Sequence, residues 1–195
     1  MPLLATVTLP NAFLYYDEWS VVNAGELANH PNLIPHTPTA NVLNVNDLNA
    51  LSSTVTEIIV ENRCCRDPSF TVLDLTRFTN VRRIVIGHDA FMYVEEVKLI
   101  GLSELESVEI GENSFTQHKN TYIITADPNR HFYLKNCPKL RELRITGIRS
   151  FSDYSVIEIE NVDALETIEI GEMNGESCSF SHASLELKSI QRKKE

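Results

Sequence analysis

The sequence is poor in several things, and each shortage excludes something. Basic residues are scarce: 17 Lys and Arg stand against 27 Asp and Glu, a formal net charge of −10. Nucleic acid needs a basic patch to meet its phosphates, so it is excluded as a partner. An anionic membrane surface is disfavoured for the same reason. Long apolar runs are absent, and no stretch approaches the roughly 18 residues of a membrane span, so no membrane insertion is expected. The opening segment MPLLATVTLPNAFLYYDEWS has no basic flank and reads as neither a leader nor an anchor. Asn-x-Ser/Thr sequons are also lacking, and the expected compartment is the cytoplasm.

Cysteine is sparse too. Cys64, Cys65, Cys137 and Cys178 are too few and too irregular for a disulfide scaffold. Cys64 and Cys65 lack zinc spacing, with no histidine nearby in sequence. The six histidines are scattered, and no Ser/His/Asp grouping forms. No Gly-rich loop carries the lysine of a phosphate cradle. Neither cofactor nor metal is implied, and no residue names a reaction.

What is present is one phrase written several times. LESVEIGENSF at 105–115, LRELRITGIRSF at 140–151 and LETIEIGEMNG at 165–175 share their apolar spacing. Aligned on it, first halves begin at Val55, Val81, Leu105, Leu140 and Leu165, a period of about 25 residues with one insertion. A phenylalanine follows each first half: Phe70, Phe91, Phe115, Phe151 and Phe180. Second halves begin at Leu73, Val97, Phe132, Ile157 and Leu185. Cys137 shares a second-half core position with Phe78, Leu102 and Val162, which makes it a buried apolar thiol.

Within each half, apolar and polar residues alternate, the period of a strand with one buried face. A unit of two short strands cannot bury its apolar side alone, but stacked units can. The expected fold is mainly β: a solenoid of about five coils, with two parallel β-sheets and a phenylalanine ladder at one corner. Gly87, Gly111 and Gly171 directly follow a strand and are expected in a turn conformation that other residues dislike.

The phrases VRRIVIGHDAF, LESVEIGENSF and FYLKNCPKLRELRI resemble leucine-rich repeats, specifically the BspA-like subclass. The resemblance covers roughly residues 55–190 and implies a leucine-rich-repeat-like solenoid, generally a non-enzymatic interaction module. Many such proteins are displayed on cell surfaces, so the resemblance also implies an alternative, a BspA-like surface adhesin. This chain departs from the pattern in its irregular unit lengths, in its lack of a leader and in second halves that read as true strands.

Residues 1–54 form an irregular N-terminal cap, 55–190 the solenoid and 191–195 a charged tail. Within the cap, DEWSVVNAGELANH reads as a short amphipathic helix and PNLIPHTPTA, residues 31–40, as a proline-rich loop. Leu43-x-Val45-x-x-Leu48-x-x-Leu51 matches a second half and implies a degenerate zeroth coil. At the other end, either Lys193 and Lys194 blunt the edge, or the chain continues or associates end to end.

The insertion TQHKNTYIITADPNRH, residues 116–131, reads as a surface hairpin on one side of the stack. The first sheet presents two outward columns: Glu57, Arg83, Ser107, Glu142 and Thr167, then Ile59, Val85, Glu109, Arg144 and Glu169. A protein partner is the expected ligand. Its expected contacts are Arg83, Glu109, Glu142, Arg144 and Glu169, an exposed apolar patch of Ile59 and Val85, and Tyr122 on the insertion. A polysaccharide-cleaving β-helix is the enzymatic alternative and would need acidic residues on adjacent coils. Glu158 and Glu186 are the one such pair on the outward columns.

Overall fold

The computed structural model describes residues 39–117, 125–171 and 178–189. The described residues all lie within one compact unit, Thr39–Glu195. The proposed helix at 17–30 and the charged tail lie outside the described residues.

Alternation of apolar and polar residues produces short strands throughout. They are β1 (Thr39–Val42), β2 (Glu57–Val60), β3 (Val72–Asp74), β4 (Arg83–Ile86), β5 (Glu96–Ile100) and β6 (Ser107–Ile110). After them come β7 (Asp127–Lys135), β8 (Glu142–Ile145), β9 (Tyr154–Glu160), β10 (Thr167–Ile170) and β11 (Ser184–Lys188). Among the described residues one helix, α1 (Val45–Ala50), follows β1.

The strands sort into two sheets, ordered β1-β2-β4-β6-β8-β10 and β11-β9-β7-β5-β3. Every pairing between described strands is parallel. Parallel neighbours need a crossover between them. From β2 onward, each crossover carries a strand of the other sheet.

The core lies between the sheets. Ile58, Ile84, Val108 and Leu143 stand in register and are buried, as are Val60, Ile86, Ile110 and Ile145. Facing them, Leu73, Val97, Phe132 and Ile157 form one buried row. Cys137 is buried in the same core as Phe78 and Leu102, and burial pushes its thiol up to about 11.

The phenylalanine column forms along one corner. Phe91 and Phe115 stack at 5.3 Å, Phe115 and Phe151 at 4.5 Å, and Phe151 and Phe180 at 4.6 Å. All four have left-handed backbones, with φ between 53° and 59°. That region is costly for aromatic residues, and ring stacking in a dry core offsets the cost. The column begins differently from its sequence pattern. The Phe91 amide donates to Cys64 O as Phe115 does to Ala90 O and Phe151 to Ser114 O. Cys65 (φ 57°), not Phe70, is therefore the backbone counterpart of Phe91. Phe70 reaches the column from farther along the chain, its ring 6.1 Å from Phe91 and tilted by 33°.

Three further expectations change. Leu43–Leu51 is not a strand: Asn44 caps α1, its side chain accepting from the amides of Asn46 and Asp47. That local competition by Asn and Asp side chains overrides the apolar spacing. β1 instead takes the last two residues of the proposed proline-rich loop and pairs with β2. Gly87 and Gly111 are not left-handed, whereas Gly171 is, with φ 69°. A Cβ on Gly111 would lie 2.8 Å from the Gly87 carbonyl carbon, so close backbone approach is what requires glycine there.

The insertion also departs from a surface hairpin. Asp127–His131 are part of β7, and Arg130 within it is 2% exposed. Its guanidinium donates to Phe115 O at 3.3 Å, lies 3.8 Å from the Asp153 carboxylate and sits over the Tyr154 ring. Asp153 also accepts from the Thr116 and Ser152 hydroxyls and the Gln117 amide. A buried charge persists when paired and hydrogen-bonded in this way. Residues 116, 117 and 127–131 are thus tied into the fold, while 118–124, including Tyr122, lie outside the described residues.

Candidate protein-binding face

Parallel register builds the outer face of the β1–β10 sheet. Because strands four residues long repeat in register, residue i on one strand lies beside its counterpart on the next, about 4.8 Å away. Glu57, Arg83, Ser107, Glu142 and Thr167 make one row across the sheet. Ile59, Val85, Glu109, Arg144 and Glu169 make the other. Both expected columns are therefore physically continuous.

Charges on this face pair along and across the rows. Arg83 meets Glu57 at 2.5 Å and Glu109 at 3.6 Å. Arg144 meets Glu142 at 3.4 Å and Glu169 at 3.9 Å. The sign alternation read along Glu109, Arg144 and Glu169 is present, but Glu109 turns to Arg83 rather than to Arg144. Each arginine bridges two carboxylates, and its side chain is about half exposed (47% for both). Pairs this exposed contribute roughly 0–1 kcal/mol each, so they exchange partners at little cost. Glu57 is held below the ordinary carboxylate value, first by the Thr39 hydroxyl and then by Arg83.

Ile59 and Val85 are adjacent but half-buried, the β2–β4 end of the second row rather than an exposed patch. Large exposed apolar residues lie elsewhere in the same fold: Ile168 and Ile170 on β10, Leu185 and Leu187 on β11. Sequence pattern assigned these four to the core. A pattern of alternation marks which side of a strand faces inward, not whether another strand covers it.

The outer face of the other sheet is also charged. Lys135 pairs with Glu158 and, at 3.7 Å, with Glu160, and its ammonium lies over the Tyr133 ring. His131 Nδ1 meets the Tyr133 hydroxyl at 2.8 Å, and its Nε2 lies 2.9 Å from Pro128 O. A carbonyl can only accept, so Nε2 carries a proton, and in the neutral ring Nδ1 accepts from the Tyr133 hydroxyl. Glu158 and Glu186 stand in register, as expected from their columns. Each has a lysine partner, and Lys188 holds the Glu186 carboxyl below its ordinary value. A general acid in glycoside cleavage needs the opposite shift.

Cys64 and Cys65 are buried neighbours whose thiols hydrogen-bond to each other, holding Cys64 down and Cys65 up. Among the described residues no three His, Cys, Asp or Glu side chains gather into a metal site. Three shallow hollows lined by described residues measure about 270, 230 and 140 Å³. All are smaller than the roughly 300–1,000 Å³ of small-molecule pockets. Comparison with family models, with curated proteins and with solved structures finds no match.

Proposed function

We propose that this chain is a non-enzymatic scaffold for protein–protein interaction, a leucine-rich-repeat-like solenoid of the BspA-like kind. It presents the outer face of the β1–β10 sheet to a protein partner. One observation carries the reading: ten outward side chains stand in two unbroken rows, with Arg83 and Arg144 each shared between two carboxylates beside the Ile59–Val85 strip. A flat array of exchangeable ion pairs around a half-buried apolar strip suits a partner with matching charges. Such a face gives specificity through charge register, while the apolar strip supplies a desolvated anchor at the β2–β4 end.

The test is capture from the native source with two variants. Arg83→Glu combined with Arg144→Glu reverses the cations of this face and is expected to weaken retention of the partner at least tenfold. Lys98→Glu, on the outer face of the other sheet, is expected to leave retention unchanged. Equal retention by both variants removes the β1–β10 face as the binding surface.

A further inference from the structure

The two ends of the paired sheets differ. At the β1 end, Val42 is fully buried and Leu48 of α1 is 4% exposed. At the β10 and β11 end, Ile168 and Ile170 are 41% and 37% exposed, and Leu185 and Leu187 are 51% and 60% exposed. These four hold the same inward positions that bury Leu143, Ile145, Ile157 and Ile159 one strand earlier. Among the described strands, β10 and β11 are each paired along one edge only. The face therefore combines four large apolar side chains with two rows of backbone donors and acceptors, the feature that invites strand pairing.

We propose that the β10–β11 face docks against the same face of a second copy of this chain, about a two-fold axis. At the opposite end the inward-facing Val42 and Leu73 are buried, although Leu43 and Val72 are exposed, so that end offers no matching inward row, and the alternating charges of β11 are complementary to those of its own copy. A two-fold pairing of a strand with its own copy is antiparallel, and it makes a closed, isologous contact. The charges select the register. Centred on Leu187, β11 places Glu186 opposite the second copy's Lys188, and the symmetry makes that pair twice. Centred on Glu186, it would set two carboxylates face to face, which is destabilising. Centred on Ile168, β10 places Thr167 opposite the second copy's Glu169, with Ile168 meeting its own copy on the inward side. This surface is distinct from the outer sheet face proposed to bind a partner.

The experiment is sedimentation equilibrium of the full chain from about 1 to about 100 μM, a range that brackets micromolar dissociation constants. A concentration-dependent dimer is expected, and Leu187→Glu is expected to abolish it. Glu186→Lys and Lys188→Glu are each expected to weaken dimerisation roughly tenfold, because each sets like charges opposite one another twice. Both side chains are about half exposed or more, at 49% and 60%, so both variants retain the fold. An equimolar mixture of the two variants is expected to associate again as a heterodimer, since the introduced lysine of one variant then faces the introduced glutamate of the other across the axis. The ion pair between Glu186 and Lys188 within one strand is broken equally in the separate and mixed samples, so recovery on mixing reports the contact between copies. A monomer across the whole range, or a mixture that associates no better than its components, overturns the proposal.

Discussion

Single residues set the spacing of this fold and the chemistry of its surface. Gly87 and Gly111 illustrate the first. The sequence marks both as special by placing them after Ile86 and Ile110, and turn conformation is the usual reason for such a glycine. Here the reason is contact: a Cβ on Gly87 would sit 2.7 Å from the Asn62 backbone nitrogen. The serines nearby exploit the same approach, Ser114 donating to Gly87 O at 2.7 Å and Ser150 to Gly111 O at 2.8 Å. Glu57 illustrates the second. Its folded pKa lies below the ordinary 4.5, with the Thr39 hydroxyl as the largest cause. A depressed carboxylate adds stability that is complete above the unfolded value and lost as pH falls through the folded one. Thr39→Ala is therefore expected to move the Glu57 midpoint, followed by carbon-detected NMR, up toward 4.5, and to leave stability at neutral pH little changed because Thr39 is exposed and Glu57 only half-buried. A midpoint that does not move would show that Arg83 alone holds the carboxylate down.

Elements were legible where one signal dominated and illegible where two competed. Strands β2, β4, β6, β8 and β10 follow from strict alternation, and the structure keeps each of them. Leu43 to Leu51 carried two signals. Its apolar spacing matched a strand, but Asn44, Asn46, Asp47 and Asn49 favour a capped turn of helix. The cap prevailed, leaving Leu43 66% exposed while Leu48 packs inward. Asn44→Ala removes the acceptor for the Asn46 and Asp47 amides, at 2.8 and 3.1 Å. It is expected to cost about 1 kcal/mol, read as a lower urea midpoint with an unchanged m-value. A Ser at the same position should recover most of that loss. The inward course of Arg130 was illegible for a different reason. A basic residue in a polar insertion reads as surface, and its partner Asp153 lies more than twenty residues away in the sequence.

At the scale of the whole molecule, the two candidate surfaces follow from one geometry. Parallel register makes the outer rows continuous, and it also leaves the inward rows open wherever a strand has no neighbour. The outward rows were legible because register repeats the same outward positions. The edge of the last coil was raised by the sequence, but the exposure of its inward residues was not legible, since nothing in LETIEI or SLELKS separates a covered strand from an uncovered one. If two copies meet at that end, each assembly carries two β1–β10 faces, and a divalent partner would gain from avidity. The same geometry grades local stability. Phe115 is stacked on both sides, at 5.3 and 4.5 Å, and β6 and β8 have strand neighbours on both edges. Among the described strands β10 and β11 have one edge partner each, and all their residues are exposed. Opening free energy falls with burial and with the number of protected backbone bonds lost. In hydrogen exchange of dilute protein, amides of β6 and β8 are therefore expected to exchange slowest and those of β11 fastest. Raising the concentration should slow β10 and β11 selectively, because docking protects the edge amides without touching the centre. Uniform exchange across all strands would contradict the gradient, and a gradient that ignores concentration would count against the two-fold contact alone.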